Sequence, residues 1–393
     1  HYPLRRQRQM CIRDSIFSFV PLPMYRYPKK IITLNRRNSS EEKKPLNIKA
    51  KITKYLTENK AFAESFIFIG TNGRFHSLIH SIIEKECYHA DYQVYDLQIT
   101  HTGTCISRVK GRDKSSPALI IKIPVNDFAR FRLRNNFRNM EELRTRFPII
   151  RGTTPIPITF GCFNNQDYWV ESYIQGLSGE TIGRERKQQI IFNSFNKLMD
   201  IHIDSRISAS IEKINDKIEK TYCAFQGSDI LWDASEKSII AKAFTFLKHN
   251  IPEQTFFVLG HNDYHLGNIL FDSPSMNVAG ILDWDLASKY EFALLDALHL
   301  IVRSNKADNT IITSLEKNII SPSAADNKLL AHYMKILSIP SKDFTFYLMI
   351  YLFELLKKDL SAWQMGLGGV EKLYFSMTIE EIHNLIKLMR TIL

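Results

Sequence analysis

The chain has 393 residues, 44% of them hydrophobic and 24% charged, so it can bury the core of a globular protein with two to three domains, or with two lobes sharing one cleft. No apolar run reaches the roughly 18 residues that a membrane-spanning helix needs, which excludes a spanning segment. Five widely spaced cysteines without a C-x-x-C pair argue against a disulfide framework and a zinc site, and they fit a reducing cytoplasm.

The formal net charge of +11 is concentrated at one end of the chain. Residues 1–60 hold 15 basic residues (Lys and Arg) against 4 acidic ones (Asp and Glu). The remaining residues hold 37 basic and 37 acidic residues, so their net charge is zero. We therefore expect residues 1–60 to form a basic, partly disordered segment, whose first fifteen residues resemble translated adapter sequence and are left out of the fold prediction. A polyanionic partner such as nucleic acid would meet this segment and not the electrically balanced body.

Strand patterns dominate residues 61–173. Short apolar runs and alternating segments indicate strands, and stretches with apolar residues at helical spacing indicate helices. In chain order the predicted elements are a strand at 66–69, a helix at 75–87, strands at 92–100, 104–109 and 118–124, a helix at 126–147, and strands at 156–160 and 168–173.

Helical periodicity dominates from Gly179 onward, apart from the strands around one polar cluster, and residues 323–393 are predicted to be largely helical. The predicted fold class is therefore α+β, with a β-rich N-terminal lobe at 61–173 and a mainly helical C-terminal lobe at 174–393.

The polar cluster lies between two apolar runs in the second lobe. Residues 260–268 read GHNDYHLGN, with FFVL before them and ILF after them. A second apolar run ends just before Asp283. Between the two apolar runs, Ser273-Pro274-Ser275 predicts a hairpin turn that sets Asp283 beside Asn268. Phosphoryl transfer needs this combination, because one carboxylate orients a hydroxyl while an Asn and an Asp hold magnesium against phosphates.

The compound motif H-x-D-x-x-x-x-N followed by L-D-W-D resembles that of the aminoglycoside phosphotransferase family, which commonly shows H-G-D-x-H-x-G-N-x-L and then I-D-W-E or I-D-W-D. The resemblance covers nearly every fixed position over about 25 residues and implies a domain over roughly 90–390. It further implies a protein-kinase-like, two-lobed fold that uses ATP and Mg²⁺ to phosphorylate the hydroxyl of a small molecule.

Each residue of the motif has a predicted role. Asp263 would accept or orient the proton of the acceptor hydroxyl, and Asn268 and Asp283 would give magnesium hard oxygen ligands. His261 resembles the family's structural histidine, which bonds backbone inside the loop, and a direct catalytic part is the alternative. A zinc site formed by the alternating His261, Asp263 and His265 is a rival interpretation, but it leaves Asn268 and Asp283 unexplained.

The first lobe would hold the nucleotide. Lys122 is the only charged residue of the apolar strand L-I-I-K-I-P, where a cation is costly unless it is paired, so it is the candidate for the nucleotide phosphates. We expect Glu142 on the following helix to pair with it. Glu141 lies on the same helix, and other alignments of that helix would place Arg138 opposite Lys122.

Two further segments are candidates for nucleotide contacts. Residues 170–176, VESYIQG, resemble the family's connector between lobes, where backbone groups of Glu171, Ser172 and Tyr173 would bond adenine; a plain strand end is the alternative. The loop at 100–104 would cover the phosphates, but it contains one glycine and not G-x-G-x-x-G.

The acceptor is predicted to be a small molecule. Asn262 stands where protein kinases carry Arg, and Asp283 is only 13 positions before Asp296, which leaves no room for a long activation loop. Asp296 is predicted to be a buried acid that braces the catalytic loop. The acceptor could be a sugar, an amino alcohol, an aminoglycoside-like compound or a cell-surface precursor, and the alternative function is a kinase-fold module that binds nucleotide without catalysis.

Overall fold

A five-stranded antiparallel sheet forms the first part of the described chain. The structure is a computed structural model that describes residues 72–86, 92–100, 103–111, 118–226, 233–304, 311–320, 327–362 and 379–393. The strands are β1 (Tyr92–Ile99), β2 (Thr104–Gly111), β3 (Leu119–Pro124), β4 (Pro157–Phe163) and β5 (Gln166–Ser172). They pair in the order β1-β2-β3-β5-β4, so β5 lies next to β3 in the sheet.

Helix α1 (Asn72–Glu86) packs against this sheet. Its Ile79 and Ile82 are fully buried and share a small apolar core with Val109 of β2 and Ile121 of β3. Alternate residues of β2 and β3 contribute to this core because successive side chains of a strand point to opposite faces.

Helix α2 (Asp127–Arg146) connects the sheet to the rest of the molecule. It begins at Asn126, whose side-chain oxygen accepts the N–H of Ala129 at 2.7 Å. Its buried Leu133 and Leu143 belong to the larger of the two apolar cores, which is otherwise built mainly from the C-terminal helices. The helix therefore lies where the sheet and the helical part of the chain meet.

Helices make up most of the chain after residue 186, and their apolar faces form the larger core. The described helices are α3 (Lys187–Asp204), α4 (Ile211–Gln226), α5 (Ala234–His249), α6 (Leu295–Ser304), α7 (Ile311–Leu315), α8 (Asn327–Ile336), α9 (Phe344–Ala362) and α10 (Ile379–Ile392), and a π-helical turn at Glu316–Ile320 follows α7.

Two small antiparallel sheets hold the polar cluster. The first joins β7 (Ile207–Ser208), β8 (Phe256–Gly260) and β11 (Ser288–Phe292), and the second joins β6 (Leu177–Ser178), β9 (Ile269–Phe271) and β10 (Val278–Ile281). Strand β8 is buried throughout. A Cβ atom on Gly260 would lie 2.4 Å from the Cβ of Glu291, so the close pairing of β8 and β11 requires glycine there.

The predicted α+β class is confirmed. Where the structure describes them, the predicted helices and strands of residues 75–173 end within three residues of the observed ones, and the predicted β9–β10 hairpin forms. Strands β6, β7 and β11 were not predicted; β6 and β7 have two residues each, which is too few for a pattern. The basic segment predicted at 1–60 and the strand predicted at 66–69 lie outside the described residues.

Within the part of the chain that the structure describes, none of the helices is long and apolar enough to cross a membrane. The described cysteines Cys105, Cys162 and Cys223 are free thiols.

Candidate active site

The polar cluster forms a loop between β8 and β9, and one buried carboxylate braces it from below. Asp296, at the start of α6, accepts the backbone N–H of His261 at 2.6 Å and that of Asn262 at 2.8 Å. Asn262 itself has a left-handed backbone with φ of 64°, a conformation that Asn tolerates better than most residues. The bracing role predicted for Asp296 is therefore confirmed.

Asp263 lies at the turn of this loop, and polar side chains hold its carboxylate from two directions. Its Oδ2 accepts a hydrogen bond from Asn268 Nδ2 at 3.2 Å and lies 3.7 Å from His265 Nε2. Its Oδ1 lies 3.3 Å from Nε2 of His299, a residue of α6. The carboxylate is 14% exposed, so it is confined but still reachable.

Electrostatics keep Asp263 ionised. Burial alone would raise the pKa of this carboxyl, but the neighbouring imidazoles of His265 and His299 outweigh burial and hold it well below the usual value. Burial lowers the pKa of His299 to about 3, so that imidazole stays neutral at physiological pH. An ionised Asp263 is the form that can accept a proton from a hydroxyl.

His261 faces away from this carboxylate. It is 2% exposed, its Nε2 donates to the carbonyl of Leu282 at 2.8 Å, and its Nδ1 accepts the backbone N–H of Asp263 at 3.3 Å. Burial lowers its pKa, which favours the neutral tautomer that these two bonds require. The geometry favours the structural role among the two interpretations that the sequence left open, because both ring nitrogens are used by backbone.

Asn268 and Asp283 lie side by side across the β9–β10 hairpin. The N–H of Leu282 donates to the carbonyl of Asn268 at 2.8 Å, which sets the neighbouring Asp283 beside it. Asn268 Nδ2 is used by Asp263, so its amide oxygen remains available as a ligand. Asp283 has φ of 65°, and its carboxylate is 43% exposed. Two hard oxygen donors, one of them accessible, fit magnesium.

The structure also bears on the zinc site of His and Asp side chains that the sequence left as a rival interpretation. Among the described residues, no group of three or more such side chains is arranged to hold a metal ion. His265 Nδ1 instead accepts the N–H of Gly267 at 3.0 Å, and both nitrogens of His261 are bonded to backbone. These contacts leave nothing to support the zinc alternative.

Lys122 forms a buried ion pair, but with a different partner from the predicted one. Its Nζ lies 2.7 Å from Glu171 Oε1, and the two side chains are 12% and 4% exposed. Burial alone would lower the pKa of Lys122, but the carboxylates of Glu171 and Asp283 raise it. The effect of Asp283 means that this ammonium group lies near the candidate magnesium ligand.

Glu142 does not pair with Lys122, so that prediction is wrong. It forms an ion pair with Lys289 of β11, on the exposed side of α2. The helix turns other residues toward the site. Arg132 makes a two-pronged contact with the buried Asp285, using Nη2 at 2.6 Å to Oδ1 and Nε to Oδ2, and its Nη2 lies 3.6 Å from Asp283.

Asn136 and Asn139 of α2 fasten the segment that follows Asp283. Asn136 accepts the backbone N–H of Trp284 at 3.0 Å, and Asn139 donates to the Trp284 carbonyl at 2.8 Å. Burial, together with the neighbouring Asp283, raises the pKa of Asp285, and Arg132 opposes this effect. Helix α2 thus fixes the geometry around the candidate magnesium ligand with one arginine and two amides.

The connector predicted to bond adenine is partly used within the protein. The N–H of Ser172 donates to the carbonyl of Ile156 at 3.0 Å, and the N–H of Tyr173 donates to the carbonyl of Ala118 at 2.9 Å. Glu171 contributes its side chain to Lys122. Backbone donors of Ser172 and Tyr173 are therefore committed to the sheet, and only their carbonyls could face a base.

The loop predicted to cover the phosphates is described only in part, because residues 101 and 102 lie outside the described chain. Gly103 has φ of 82°, and its N–H donates to the carbonyl of Thr100 at 3.0 Å. An ideal Cβ on Gly103 would lie 2.1 Å from the side-chain nitrogen of Asn126, so both conformation and space require glycine.

A small pocket lies next to Asn262 of the loop and to His299, whose ring contacts Asp263. Its lining residues come from the loop and from α6 and α9: they are Asn262, Leu295, Asp296, His299, Tyr351, Glu354, Leu355 and Lys358. Its volume of about 10 Å³ holds about one water molecule. Lys358 Nζ donates to the carbonyl of Asn262, so α9 is tied directly to the catalytic loop.

Sequence reasoning missed Arg132, His299, Tyr351 and Lys358. Only His299 gave a usable signal: it follows Asp296 by three positions in a helix, so both side chains face the same neighbour. The other three lie far from the motif along the chain, and no local pattern distinguishes them from ordinary helix residues.

A carboxylate at the turn of a braced loop, an Asn–Asp hairpin and a buried Lys–Glu pair are the kinds of group that phosphoryl transfer uses. Comparisons with known proteins support this interpretation of the site. Residues 138–302 match the APH family model, described as a phosphotransferase enzyme family. The match contains the loop and the hairpin, and the predicted resemblance to the aminoglycoside phosphotransferase family is confirmed.

Solved structures share the fold at low sequence identity. A Ralstonia eutropha protein described as a candidate aminoglycoside phosphotransferase is 12% identical, with 81% of this chain and 95% of that chain covered and a TM-score of 0.51. A mutant of aminoglycoside 2'-phosphotransferase-IIIa, solved as its GDP complex, is 11% identical, with 80% and 96% covered and a TM-score of 0.51.

A mutant of APH(4)-Ia, solved with ADP and hygromycin B, is 13% identical, with 80% and 96% covered and a TM-score of 0.50. These identities establish a similar fold and no more. A search of curated protein sequences finds no match.

Proposed function

We propose that this protein is a small-molecule O-phosphotransferase that transfers the γ-phosphate of ATP, with Mg²⁺, to a hydroxyl group. One observation supports this above the others: Asp263 is ionised, held from two sides, and still 14% exposed, so a hydroxyl can reach it. A carboxylate in that state is suited to orient the acceptor and take its proton.

The residues on the other side of the loop suit the nucleotide. Asn268 and Asp283 would hold magnesium, and the ion would neutralise charge on the phosphates. Lys122, near Asp283, would contact the phosphates. Adenine would bind along the connector after β5 through carbonyl groups, since the N–H groups of Ser172 and Tyr173 are used elsewhere.

The proposed reaction is a single in-line displacement. The acceptor oxygen forms a bond to the γ-phosphorus while the bond from that phosphorus to the bridging oxygen of ADP breaks. The hydroxyl proton goes to Asp263, and ADP leaves with the bond's electron pair. Asp263 later releases its proton to water.

We propose that the fold has two lobes, a β-rich lobe at 61–173 and a helical lobe at 174–393, with the Asp263 loop in a cleft between them. The basic segment 1–60 precedes the first lobe. The five-stranded sheet supports the first boundary, since β5 ends at Ser172. The nucleotide would then lie under the sheet, and the acceptor would lie beside α6 and α9.

The acceptor proposed here is a neutral or zwitterionic hydroxylated metabolite, such as a sugar or an amino alcohol. Lys358 lines the small pocket next to Asn262, and a cation there opposes a polycationic acceptor. Glu354 also lines the pocket, but Lys357 lies 3.1 Å from its carboxylate and Thr221 donates to it at 2.7 Å. Aminoglycosides remain worth testing, because a protein of similar fold was solved with hygromycin B.

The test is ATP or GTP consumption with Mg²⁺ against a panel of sugars, amino alcohols and aminoglycosides. We expect turnover with at least one hydroxylated compound, and Asp263→Ala should lower kcat by about 10²–10⁴-fold while MgATP binding persists. Asp272→Ala is the matched control, because Asp272 is exposed in the same hairpin and should leave kcat unchanged. Equal turnover by Asp263→Ala and the wild type would contradict the proposal.

One observation favours a second candidate, a nucleotide-binding module without catalysis. Arg132 lies 3.6 Å from Asp283, where a guanidinium group opposes the approach of a metal ion. The two candidates differ in their magnesium dependence. Calorimetric ATP binding that is equally tight with and without Mg²⁺, in a protein that turns over none of the panel, would support the module.

A further inference from the structure

His299 lies outside the catalytic loop, yet it contacts the carboxylate at the loop's centre. It is on α6, 2% exposed, with Nε2 3.3 Å from Asp263 Oδ1. Its other ring nitrogen, Nδ1, lies 3.2 Å from the hydroxyl of Tyr351 on α9. A chain of hydrogen bonds therefore runs from α9 through α6 to Asp263.

The contact matters because the loop itself holds only one oxygen of the carboxylate firmly. Asn268 and His265 both approach Oδ2. The terminal torsion of an aspartate is broad, so a carboxylate fastened at one oxygen can still rotate. His299 reaches Oδ1 from a helix that is buried along nearly its whole length, which is a more rigid support than a loop.

The contact also depends on which nitrogen of His299 bears the proton. A hydrogen bond to the Asp263 carboxylate needs Nε2–H, and Nδ1 must then accept. The hydroxyl of Tyr351 can donate to Nδ1 and so selects this tautomer. Tyr351 is 2% exposed, so bulk water does not compete for that bond.

We propose that His299 is a positioning residue that fixes the Asp263 carboxylate in the orientation that receives the acceptor hydroxyl, and that Tyr351 sets the tautomer His299 needs. This inference rests on the proposed function, in which Asp263 takes the acceptor's proton.

The kinetic test uses MgATP hydrolysis, with water as the acceptor, in the full-length protein. His299→Leu removes the donor and should lower kcat by about 10²-fold, because misplacing a reacting group by about 1 Å has effects of this size, while the KM for MgATP changes less than about 2-fold. His299→Gln keeps an N–H donor near the position of Nε2 and should stay within about 5-fold of the wild type.

Tyr351→Phe tests the second link. It should lower kcat by roughly 5-fold, and it should have no further effect in the His299→Leu background, because the two residues act through the same bond. Tyr347→Phe is the matched control: Tyr347 lies one turn earlier on α9, is 1% exposed, and its hydroxyl bonds Thr255 and not His299. It should leave kcat unchanged.

Three kinetic results would overturn the proposal. In His299→Leu they are a kcat equal to that of the wild type, or a higher KM for MgATP with no fall in kcat. In the double variant His299→Leu/Tyr351→Phe it is a loss of kcat equal to the two single losses combined. If His299→Leu does not fold, the Tyr351→Phe and His299→Gln variants still test the proposal. A kcat of Tyr351→Phe equal to that of Tyr347→Phe would also overturn it.

A spectroscopic measurement separates this inference from the proposed function. In ¹⁵N-histidine NMR spectra, with His299 assigned by its absence in His299→Gln, we expect the neutral Nε2–H tautomer and a mixed tautomer in Tyr351→Phe. An Nδ1–H tautomer in the wild type would overturn the positioning role whatever the activity. The expected tautomer in a protein that turns over none of the acceptor panel and does not hydrolyse MgATP would instead overturn the proposed function, and the positioning role with it.

Discussion

The two sides of the Asp263 loop handle charge in different ways. On the side of the five-stranded sheet, buried charged side chains pair with each other: Lys122 with Glu171, and Arg132 with Asp285. On the side of α6 and α9, the groups nearest Asp263 are the neutral imidazole of His299 and the hydroxyl of Tyr351.

The two sides of the loop are therefore arranged differently before any ligand binds. Charges on the sheet side are satisfied by the protein itself, so MgATP, if it binds as proposed, would have to exchange partners there, and Arg132 would have to yield Asp283 to the metal. On the acceptor side, neutral hydrogen bonds already set the carboxylate, and no exchange is needed. Substitutions on the sheet side should therefore affect both stability and nucleotide binding, whereas those on the acceptor side should affect kcat.

The largest effect is expected at Lys122. Lys122→Met leaves the Glu171 carboxylate buried without its partner, which should lower the free energy of unfolding by about 3–5 kcal/mol. Adding Glu171→Gln removes the stranded charge and should restore most of that loss. MgATP affinity should stay low in both variants, because neither has the cation. Urea unfolding and calorimetric MgATP binding give the two readouts.

A surface pair on the helical side provides the control for Lys122. Lys248 and Glu219 lie 2.6 Å apart, but their side chains are 39% and 45% exposed, so Lys248→Met should change little. If Lys122→Met/Glu171→Gln recovered both stability and MgATP affinity, Lys122 would have no part in binding phosphates, and the sheet side would be structural only.

The sequence predicted the fold well where a pattern is long enough to be read. The helix at 126–147 and the strands of the first sheet were predicted from spacing alone, because burial imposes the period of each element. The strand predicted at 168–173 begins earlier, at Gln166, and only Asn164 and Asn165 form the turn before it, with φ of 50° and 62°. Gln166 and Asp167 join β5, since pairing with β4 outweighs their polarity.

The site was predictable where its residues are close along the chain. Asp263, Asn268 and Asp283 belong to one loop and hairpin, so turn chemistry alone brings them together. The partner of Lys122 was not predictable, because it depends on β5 lying next to β3 and on the rotation of α2, which turns Glu142 toward Lys289. Tyr351 reaches His299 only through the packing of α9 on α6, which no local pattern records.

A smaller effect is expected beneath the loop. Asp296→Asn replaces a carboxylate that accepts two backbone N–H groups with an amide whose single oxygen can satisfy only one of them well. The loss of charge-assisted hydrogen bonds should lower the free energy of unfolding by about 1.5–3 kcal/mol, and kcat should fall with it. Asp272→Asn, at an exposed position of the hairpin, should change neither quantity. An Asp296→Asn protein as stable and active as the wild type would mean that the loop holds its shape without the brace.

The smallest effect is a pH dependence of stability that belongs to the acceptor side. Burial lowers the pKa of His299 from 6.5 to about 3. Between these values the unfolded chain binds one proton more than the folded chain at this residue, so the free energy of unfolding falls as the pH falls, by about 1.4 kcal/mol for each unit below pH 6.5. His299→Gln has no such group, and its stability should fall less steeply between about pH 7 and pH 5 in urea unfolding.

The comparison isolates His299, because other buried histidines such as His261 titrate in both proteins and cancel. His249→Gln, at an exposed position, should keep the wild-type slope. If His299→Gln also kept that slope, His299 would take up its proton while folded, the imidazole beside Asp263 would be charged, and the acceptor side would rely on an ion pair just as the sheet side does.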